Sequence, residues 1–356
     1  MVATEGTRDD APTSGSPDRR TPRRGLRRVD RVARWFAERR LVTTGRGDHA
    51  AESVGVTHPQ PWSGPPTAVM QSGLCMRTGV CSTVDVAEWD SLSITPLVDC
   101  GGGKSCQLQM KVFAPTSGGP WPLAVVVPGG HQGTSDQAPL DPFGLIIAGQ
   151  GAVAIETVWR QEPDAGGGYP TSFADVACAI GVARKIGPSY GASPDRVTLV
   201  GASIGGWAAT VLGLTPTPFT PSAGSCDPTA GSLRPDAVVS VAGILDQVTA
   251  PANQPYVMSL LNGDRAARPD AWAAVDPFAL AKRYPADAVR FLLIEGGADT
   301  YVSPAAARAF QASLAALGYQ SSLVEILPMA HEEAYYCNDA YCKDLIGPIM
   351  AIVAPT

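Results

Sequence analysis

Beyond about residue 84 the chain alternates between two hydrophobic rhythms. Residues 107–113 (QLQMKVF) switch between polar and apolar at every second position, as a half-buried strand does. Residues 123–127 (LAVVV), 152–158 (AVAIETV), 196–200 (RVTLV), 237–241 (AVVSV), 289–295 (VRFLLIE) and 321–327 are short, mostly apolar runs and predict buried strands. Helical spacing separates or follows them at 171–186, 204–213, 304–317 and 339–353. Apolar strands interleaved with helices predict an α/β class, with a mainly parallel sheet covered on both faces. Two stretches break the alternation: 214–236, rich in Pro, Thr and Ser, and 246–282. Both follow the central strand–helix unit, so they are candidate cap or loop insertions above the sheet. No internal repeat is evident.

Residues 1–65 read differently, being rich in Pro, Gly, Ser, Thr and Arg. They lack the apolar core of an ordinary secretion signal, and no greasy stretch follows their arginine pairs as a twin-arginine signal would need. Leu26, Val29, Val32, Phe36 and Leu41 recur at helical spacing, with arginines elsewhere. That rhythm fits either a basic amphipathic helix on a membrane surface or, more plainly, a solvated arm. The expected division is a basic arm over 1–65 and a folded unit over 66–356. A chain of 356 residues has room for one large domain or two ordinary ones. Its net charge of −6 sums unlike parts, because residues 1–50 carry 12 Lys+Arg against 7 Asp+Glu and the remainder is acidic. A nucleic-acid binder acting through the whole chain is disfavoured by that balance. No run of 18 apolar residues exists to span a membrane.

Candidate chemistry centres on Gly201-Ala202-Ser203-Ile204-Gly205, a G-x-S-x-G match that is weak alone. Its context strengthens it. The apolar strand RVTLV runs straight in and the helix IGGWAATVLG straight out. A sharp strand-to-helix turn exposes such a serine, small neighbours leave room for the turn, and the helix N-terminus offers partial positive charge to an oxyanion. A serine nucleophile needs a base. The four histidines are 49, 58, 131 and 331. The first two lie in the irregular head, and His131 precedes the serine. His331 follows the last strand, as the order nucleophile, acid, base requires. The acid belongs on the loop after the next-to-last strand, where FLLIEGGAD places Asp299, 32 residues before His331. Asp246, after strand 237–241, is an alternative, and Glu295 a weaker one because it belongs to the strand end.

With these residues the chain resembles the α/β-hydrolase superfamily, and within it the hormone-sensitive-lipase-like and feruloyl-esterase-like carboxylesterases. The resemblance covers roughly 107–335 through the blocks VVVPGGHQG, VWRQEP, YPTSFADVACAI, PDRVTLVGASIGGWAA and GGADTYVSP, then the terminal histidine. It implies a serine esterase working through an acyl-enzyme, with Ser203 as nucleophile, His331 as base and Asp299 as acid. Such esterases carry an HGGG-type loop that supplies oxyanion-hole amides. Here Pro128 stands where the first histidine would be, and His131 follows Gly129-Gly130. The matching amides are those of Gly130 and His131, with Ile204 completing the hole. Trp159 and Arg160 match a packing segment of the family.

The other constellations add little chemistry. None of the eight cysteines (75, 81, 100, 106, 178, 226, 337 and 342) forms C-x-x-C, so neither a zinc site nor any cofactor is expected. The close spacing of 75/81, 100/106 and 337/342, with 178/226 left over, suits disulfides and an oxidising, extracytoplasmic compartment. Reduced cysteines would mean a cytoplasmic enzyme. Two competing classes are a serine peptidase of the prolyl-oligopeptidase kind and a non-catalytic hydrolase-fold binding protein. Too few residues precede the first strand for the propeller of the former, and the latter would lack one of the three residues. Residues 214–236 are polar, which favours a small-molecule or polymer-linked ester over long-chain lipid.

Overall fold

The computed structural model describes residues 65–75, 79–93, 95–130, 141–217, 219–222, 226, 231–246, 254–336 and 341–354. The basic arm with its 26–41 rhythm, His49, His58, His131 and Cys337 lie outside these residues.

In chain order the strands are β1 (Ala68–Met70), β2 (Val86–Ser93), β3 (Val98–Asp99), β4 (Ser105–Cys106), β5 (Gln109–Pro115), β6 (Trp121–Val127), β7 (Val153–Thr157), β8 (Ala192–Ala202), β9 (Ala237–Val241), β10 (Arg290–Gly296) and β11 (Gln320–Ile326). The helices are α1 (Asp141–Gly149), α2 (Thr171–Ile186), α3 (Ile204–Leu214), α4 (Gln254–Leu260), α5 (Pro269–Ala274), α6 (Pro277–Arg283), α7 (Pro304–Ala316), α8 (His331–Tyr336) and α9 (Cys342–Val353).

Among the described residues one nine-stranded sheet runs in the order β1-β2-β5-β7-β6-β8-β9-β10-β11, and β3 pairs with β4 apart from it. The strands β1, β2, β5 and β7 pair antiparallel. From β7 across to β11 every pairing is parallel. This is the mainly parallel α/β sheet that the alternation predicts and the α/β-hydrolase fold that the resemblance implies. Its central parallel strands β6, β7 and β9 and the second half of β8 are mostly apolar because both faces are covered. One core cluster holds α2, α3, α7 and side chains from α4–α6, including Trp159, Phe173, Trp207 and Phe310. The other holds α1 and α9 against Val126, Val200, Val239 and Ile294.

Topology decides where chemistry sits. From β6 the chain moves outward to β7, whereas from β8 it moves the other way to β9, β10 and β11. The direction reverses between β6 and β8, and ligands of open α/β sheets bind in that crevice beyond the strand carboxyl ends. Register then aligns the ends: Val127 pairs with Gly201, Ala202 with Val241, Val241 with Ile294, and Gly296 with Ile326.

Three elements depart from the sequence reading for physical reasons. In β2 the ladder shifts between Trp89 and Leu92, a bulge that spoils the alternation a strand prediction needs. Helix α1 is buried on nearly all sides, so its sequence DPFGLIIAG has no helical stripe to detect. Helix α8 has six residues, too few for a period. Residues 246–282 hold α4, α5 and most of α6. Their Val257, Leu260, Trp272, Val275 and Leu280 are buried in the main core, and Trp207 of α3 donates from Nε1 to the Val275 carbonyl at 2.9 Å. The described part of 214–236 carries no helix or strand beyond the end of α3, and its Phe219 stacks on Phe173.

Cys75–Cys81, Cys100–Cys106 and Cys178–Cys226 are disulfides, and Cys342 is disulfide-bonded as well. Cys178–Cys226 closes the longest loop of the three, at a separation of 48 residues. Loop-closure entropy at that length is worth about 4 kcal/mol. Replacing both cysteines by alanine should therefore lower the unfolding free energy by that order, read as a lowered denaturant midpoint. An unchanged midpoint would show that the bridge constrains nothing.

Candidate active site

The crevice beyond the parallel strands is furnished by four loops. The first follows β8, where Ser203 has φ 54° and ψ −121°, a region unusual for any residue but glycine. Holding a serine there costs about 1–3 kcal/mol, and its surroundings enforce it. Ser203 N–H donates to the Val241 carbonyl at 2.9 Å, and the Ser203 carbonyl accepts from Trp207 N–H at 3.1 Å. The glycines are steric requirements. A Cβ on Gly201 would lie 2.2 Å from the Gly205 carbonyl oxygen, and one on Gly205 would lie 2.3 Å from that of Val127. The turn therefore presses against the end of β6. Ile204, Gly205 and Gly206 open α3, so their N–H groups have no acceptor within the helix.

The loops after β10 and β11 are joined by their backbones. Gly297 N–H donates to the Ile326 carbonyl and Ala298 N–H to the Met329 carbonyl, both at 3.0 Å. A Cβ on Gly296 would come 2.4 Å from that same Met329 oxygen, so the approach requires glycine. His331 opens α8. Glu333 reaches back to accept the Ala330 N–H at 2.8 Å, half of a capping box that fixes the start of the helix and with it the histidine backbone.

In this frame the structure brings Ser203, His331 and Asp299 together. His331 Nε2 lies 3.1 Å from Ser203 Oγ, and His331 Nδ1 lies 2.7 Å from Asp299 Oδ2. With its proton on Nδ1 the neutral imidazole donates to the carboxylate and accepts from the serine hydroxyl, the arrangement that readies an oxygen nucleophile. The other Asp299 oxygen accepts N–H bonds from Tyr301 at 2.8 Å and Val302 at 2.9 Å. The Asp299 side chain is fully buried, and that of His331 is 15% exposed. Asp246 lies on the loop after β9, and Asp299 is the carboxylate bonded to His331. Glu295, one residue before the end of β10, is buried and hydrogen-bonded to Asp299.

The fourth loop follows β6. The Pro128 carbonyl accepts from Trp159 Nε1 at 2.9 Å, and the Gly129 carbonyl accepts from Gln161 Nε2 at 3.0 Å. In a trans peptide the carbonyl and the next N–H point in opposite directions. The Gly130 N–H is thus turned away from Gln161. Gly130 itself has φ +90°, open to glycine and strained for other residues. Ile204 starts the neighbouring helix, and His131 falls outside the described residues. The segment holding this loop is itself anchored. Arg160 makes a two-pronged pair with Asp175, Nε to Oδ2 at 2.9 Å and Nη2 to Oδ1 at 2.7 Å. Its Nη1 also donates to the Asp99 carbonyl. Burial raises the Asp175 pKa, against the lowering pull of Arg160.

Sequence reasoning missed several of these residues. Gln161 sits two positions past Trp159 in the block already noted, but no pattern marks an amide as a loop anchor. The signal for Glu333 is its spacing, because a glutamate three residues past Ala330 can close half of a capping box. Tyr301 is 48% exposed, with its ring 5.4 Å from the imidazole of His331. Among the described residues no group of three or more His, Cys, Asp and Glu is placed to hold a metal.

Comparison with known proteins agrees with this architecture. The BD-FAE family model matches residues 110–314, more than half of the chain. No curated protein matches the chain. Among solved structures, a bifunctional GH43-CE protein of Bacteroides eggerthii is similar at TM-score 0.60 and 19% identity over 74% of this chain. The match spans only 35% of that protein's length. A truncated carbohydrate esterase from gut microbiota is similar at TM-score 0.54 and 18% identity, over 73% of this chain and 94% of that one. Thermogutta terrifontis esterase 2, in a form phosphoramylated by tabun, gives TM-score 0.57 and 21% identity, over 75% of this chain and 97% of the esterase. At such identities the structural likeness is one of fold, while the family match reaches from β5 into α7 and takes in Ser203 and Asp299. The chain therefore belongs to the BD-FAE family of esterase-like α/β-hydrolases.

Proposed function

We propose that the protein hydrolyses carboxylic esters through an acyl-enzyme, with Ser203 as nucleophile, His331 as general base and acid, and Asp299 as the carboxylate that orients the imidazole. The observation carrying this reading is the unbroken line Asp299–His331–Ser203, at 2.7 and 3.1 Å, assembled from three loops at one end of the sheet.

The chemistry balances within these residues. Ser203 Oγ attacks the ester carbonyl carbon as its proton passes to His331 Nε2. Charge collects on the carbonyl oxygen, where the amides of Gly130, His131 and Ile204 are the proposed donors; each such donor is typically worth about 10²–10³ in rate. The bond to the alcohol oxygen then breaks, and His331 returns the proton to the leaving alcohol. Water repeats the sequence on the acyl-enzyme and restores Ser203. Asp299 stays ionised throughout and stabilises the imidazolium.

Carbohydrate esterases are among the structural neighbours. Together with the polar 214–236 stretch, this favours small or sugar-linked esters as substrates. The test is a panel of p-nitrophenyl esters from C2 to C16 with feruloyl and acetyl-sugar esters, run on wild type and on Asp299→Asn. Wild type should turn over the short and sugar-linked members. Asp299→Asn should lose about 10⁴ in kcat, because the asparagine amide favours the wrong histidine tautomer. Equal activity in the two proteins would exclude Asp299 as the acid.

A further inference from the structure

Glu295 is a buried carboxyl that the proposed reaction does not use. It is the penultimate residue of strand β10, 1% exposed, and its side chain is hydrogen-bonded to Asp299. Asp299 is buried too, and its oxygens already accept from His331 Nδ1 and from the Tyr301 and Val302 amides. Two carboxylates in contact inside a protein cannot both stay ionised, and their hydrogen bond needs one proton between them. Three donors stabilise the charge on Asp299. Among the described residues Glu295 accepts only the Gly296 N–H, at 3.2 Å on Oε1. The proton therefore resides on Glu295, which makes it the donor and Asp299 the acceptor.

We propose that Glu295 is a positioning residue, whose carboxyl O–H donates to Asp299 and holds that carboxylate in line with His331. This inference rests on the reading of Asp299 as the triad acid and adds a residue to it.

The charged surroundings point the same way. Burial first, and then the Asp299 charge, push the Glu295 carboxyl up to about 9. On β11 Glu325 faces it in register and adds a smaller push in the same direction, with its own charge paired to Arg308 of α7 at 2.6 Å. On the other side β9 (AVVSV) carries no ionisable group. On α9 Lys343 and Asp344 are exposed, and on α8 Glu333 is engaged by the Ala330 amide, with Glu332 exposed beside it. No cation among these compensates an ionised Glu295. The folded value lies above the unfolded carboxylate value. The stability held by the neutral acid is thus full at low pH and is lost as pH rises through about 9.

The experiment compares wild type, Glu295→Gln and Glu295→Leu on a short p-nitrophenyl ester from pH 6 to 10.5, corrected for spontaneous hydrolysis, with thermal unfolding measured over the same range. Glutamine keeps an N–H donor and cannot ionise. Its kcat at pH 7 should stay within about threefold of wild type, and the wild-type loss of activity above about pH 9 should disappear. Its unfolding temperature should also fall less than that of wild type as pH rises. Leucine removes the donor, and kcat should drop roughly 10- to 100-fold with KM little changed. The proposal is overturned if Glu295→Gln keeps the wild-type alkaline loss, or if Glu295→Leu, folded, matches wild type at pH 7. An organophosphate that labels Ser203 while the Glu295 variants behave as wild type sinks this inference alone. A wild type that turns over no ester sinks the reading beneath it.

Discussion

Ser203→Ala should lower kcat/KM for a short p-nitrophenyl ester by about 10⁴-fold or more and leave the thermal unfolding of the protein near that of wild type. The size of the loss follows from covalent catalysis. Without Oγ no acyl-enzyme forms, and only binding and oxyanion amides remain to help a water molecule attack directly. The small effect on stability follows from the turn. The elbow is held by the Ser203 N–H bond to Val241, the Trp207 bond to the Ser203 carbonyl, and the close approach of Gly205 to Val127. None of these involves the hydroxyl. Alanine keeps the Cβ, so the strain of φ 54° is unchanged. A steep loss of activity in a protein that unfolds as before is the signature to look for. Retained activity would mean that hydrolysis runs through another group.

Asp175→Ala should cost the most stability, about 3–5 kcal/mol. It leaves the Arg160 guanidinium buried without its carboxylate, and that uncompensated charge is the dominant loss. Arg160 and Asp175 side chains are 6% and 4% exposed, so solvent cannot take over. Activity should fall along with stability, since Trp159 and Gln161 on either side of Arg160 carry the bonds to the Pro128 and Gly129 carbonyls. Urea unfolding by near- and far-ultraviolet circular dichroism measures the first effect, and kcat of the folded fraction measures the second. A variant with wild-type stability would show that water or a rearranged Arg160 satisfies the charge. Replacing Arg160 and Asp175 together with apolar residues should cost less stability than Asp175→Ala alone, because no charge is stranded.

What the sequence reveals about this molecule depends on the distance over which each feature is determined. The apolar runs LAVVV, RVTLV and AVVSV mark β6, β8 and β9 because a strand buried on both faces is apolar at most positions. Ser203, Asp299 and His331 are legible because chain order on a parallel sheet converts directly into loop positions at one edge. Features set by contacts between distant segments leave no local trace. Gln161 looks like any surface amide until the β6 loop folds over it. Glu295 reads as the end of a strand and a weak candidate for the acid. Its meaning comes only from the turn that folds Asp299 back beside it. The β2 strand hides behind its bulge, and α1 behind its uniform burial.

The central claim is that Ser203 becomes covalently acylated, and the most direct measurement is adduct mapping by mass spectrometry. Wild type and Ser203→Ala are each incubated with a p-nitrophenyl phosphonate, digested, and sequenced for the modified peptide. The account predicts one adduct per wild-type chain, on Ser203, matched by complete loss of esterase activity, and no adduct on Ser203→Ala. An adduct on a different serine, or inhibition with Ser203 unmodified, would contradict it.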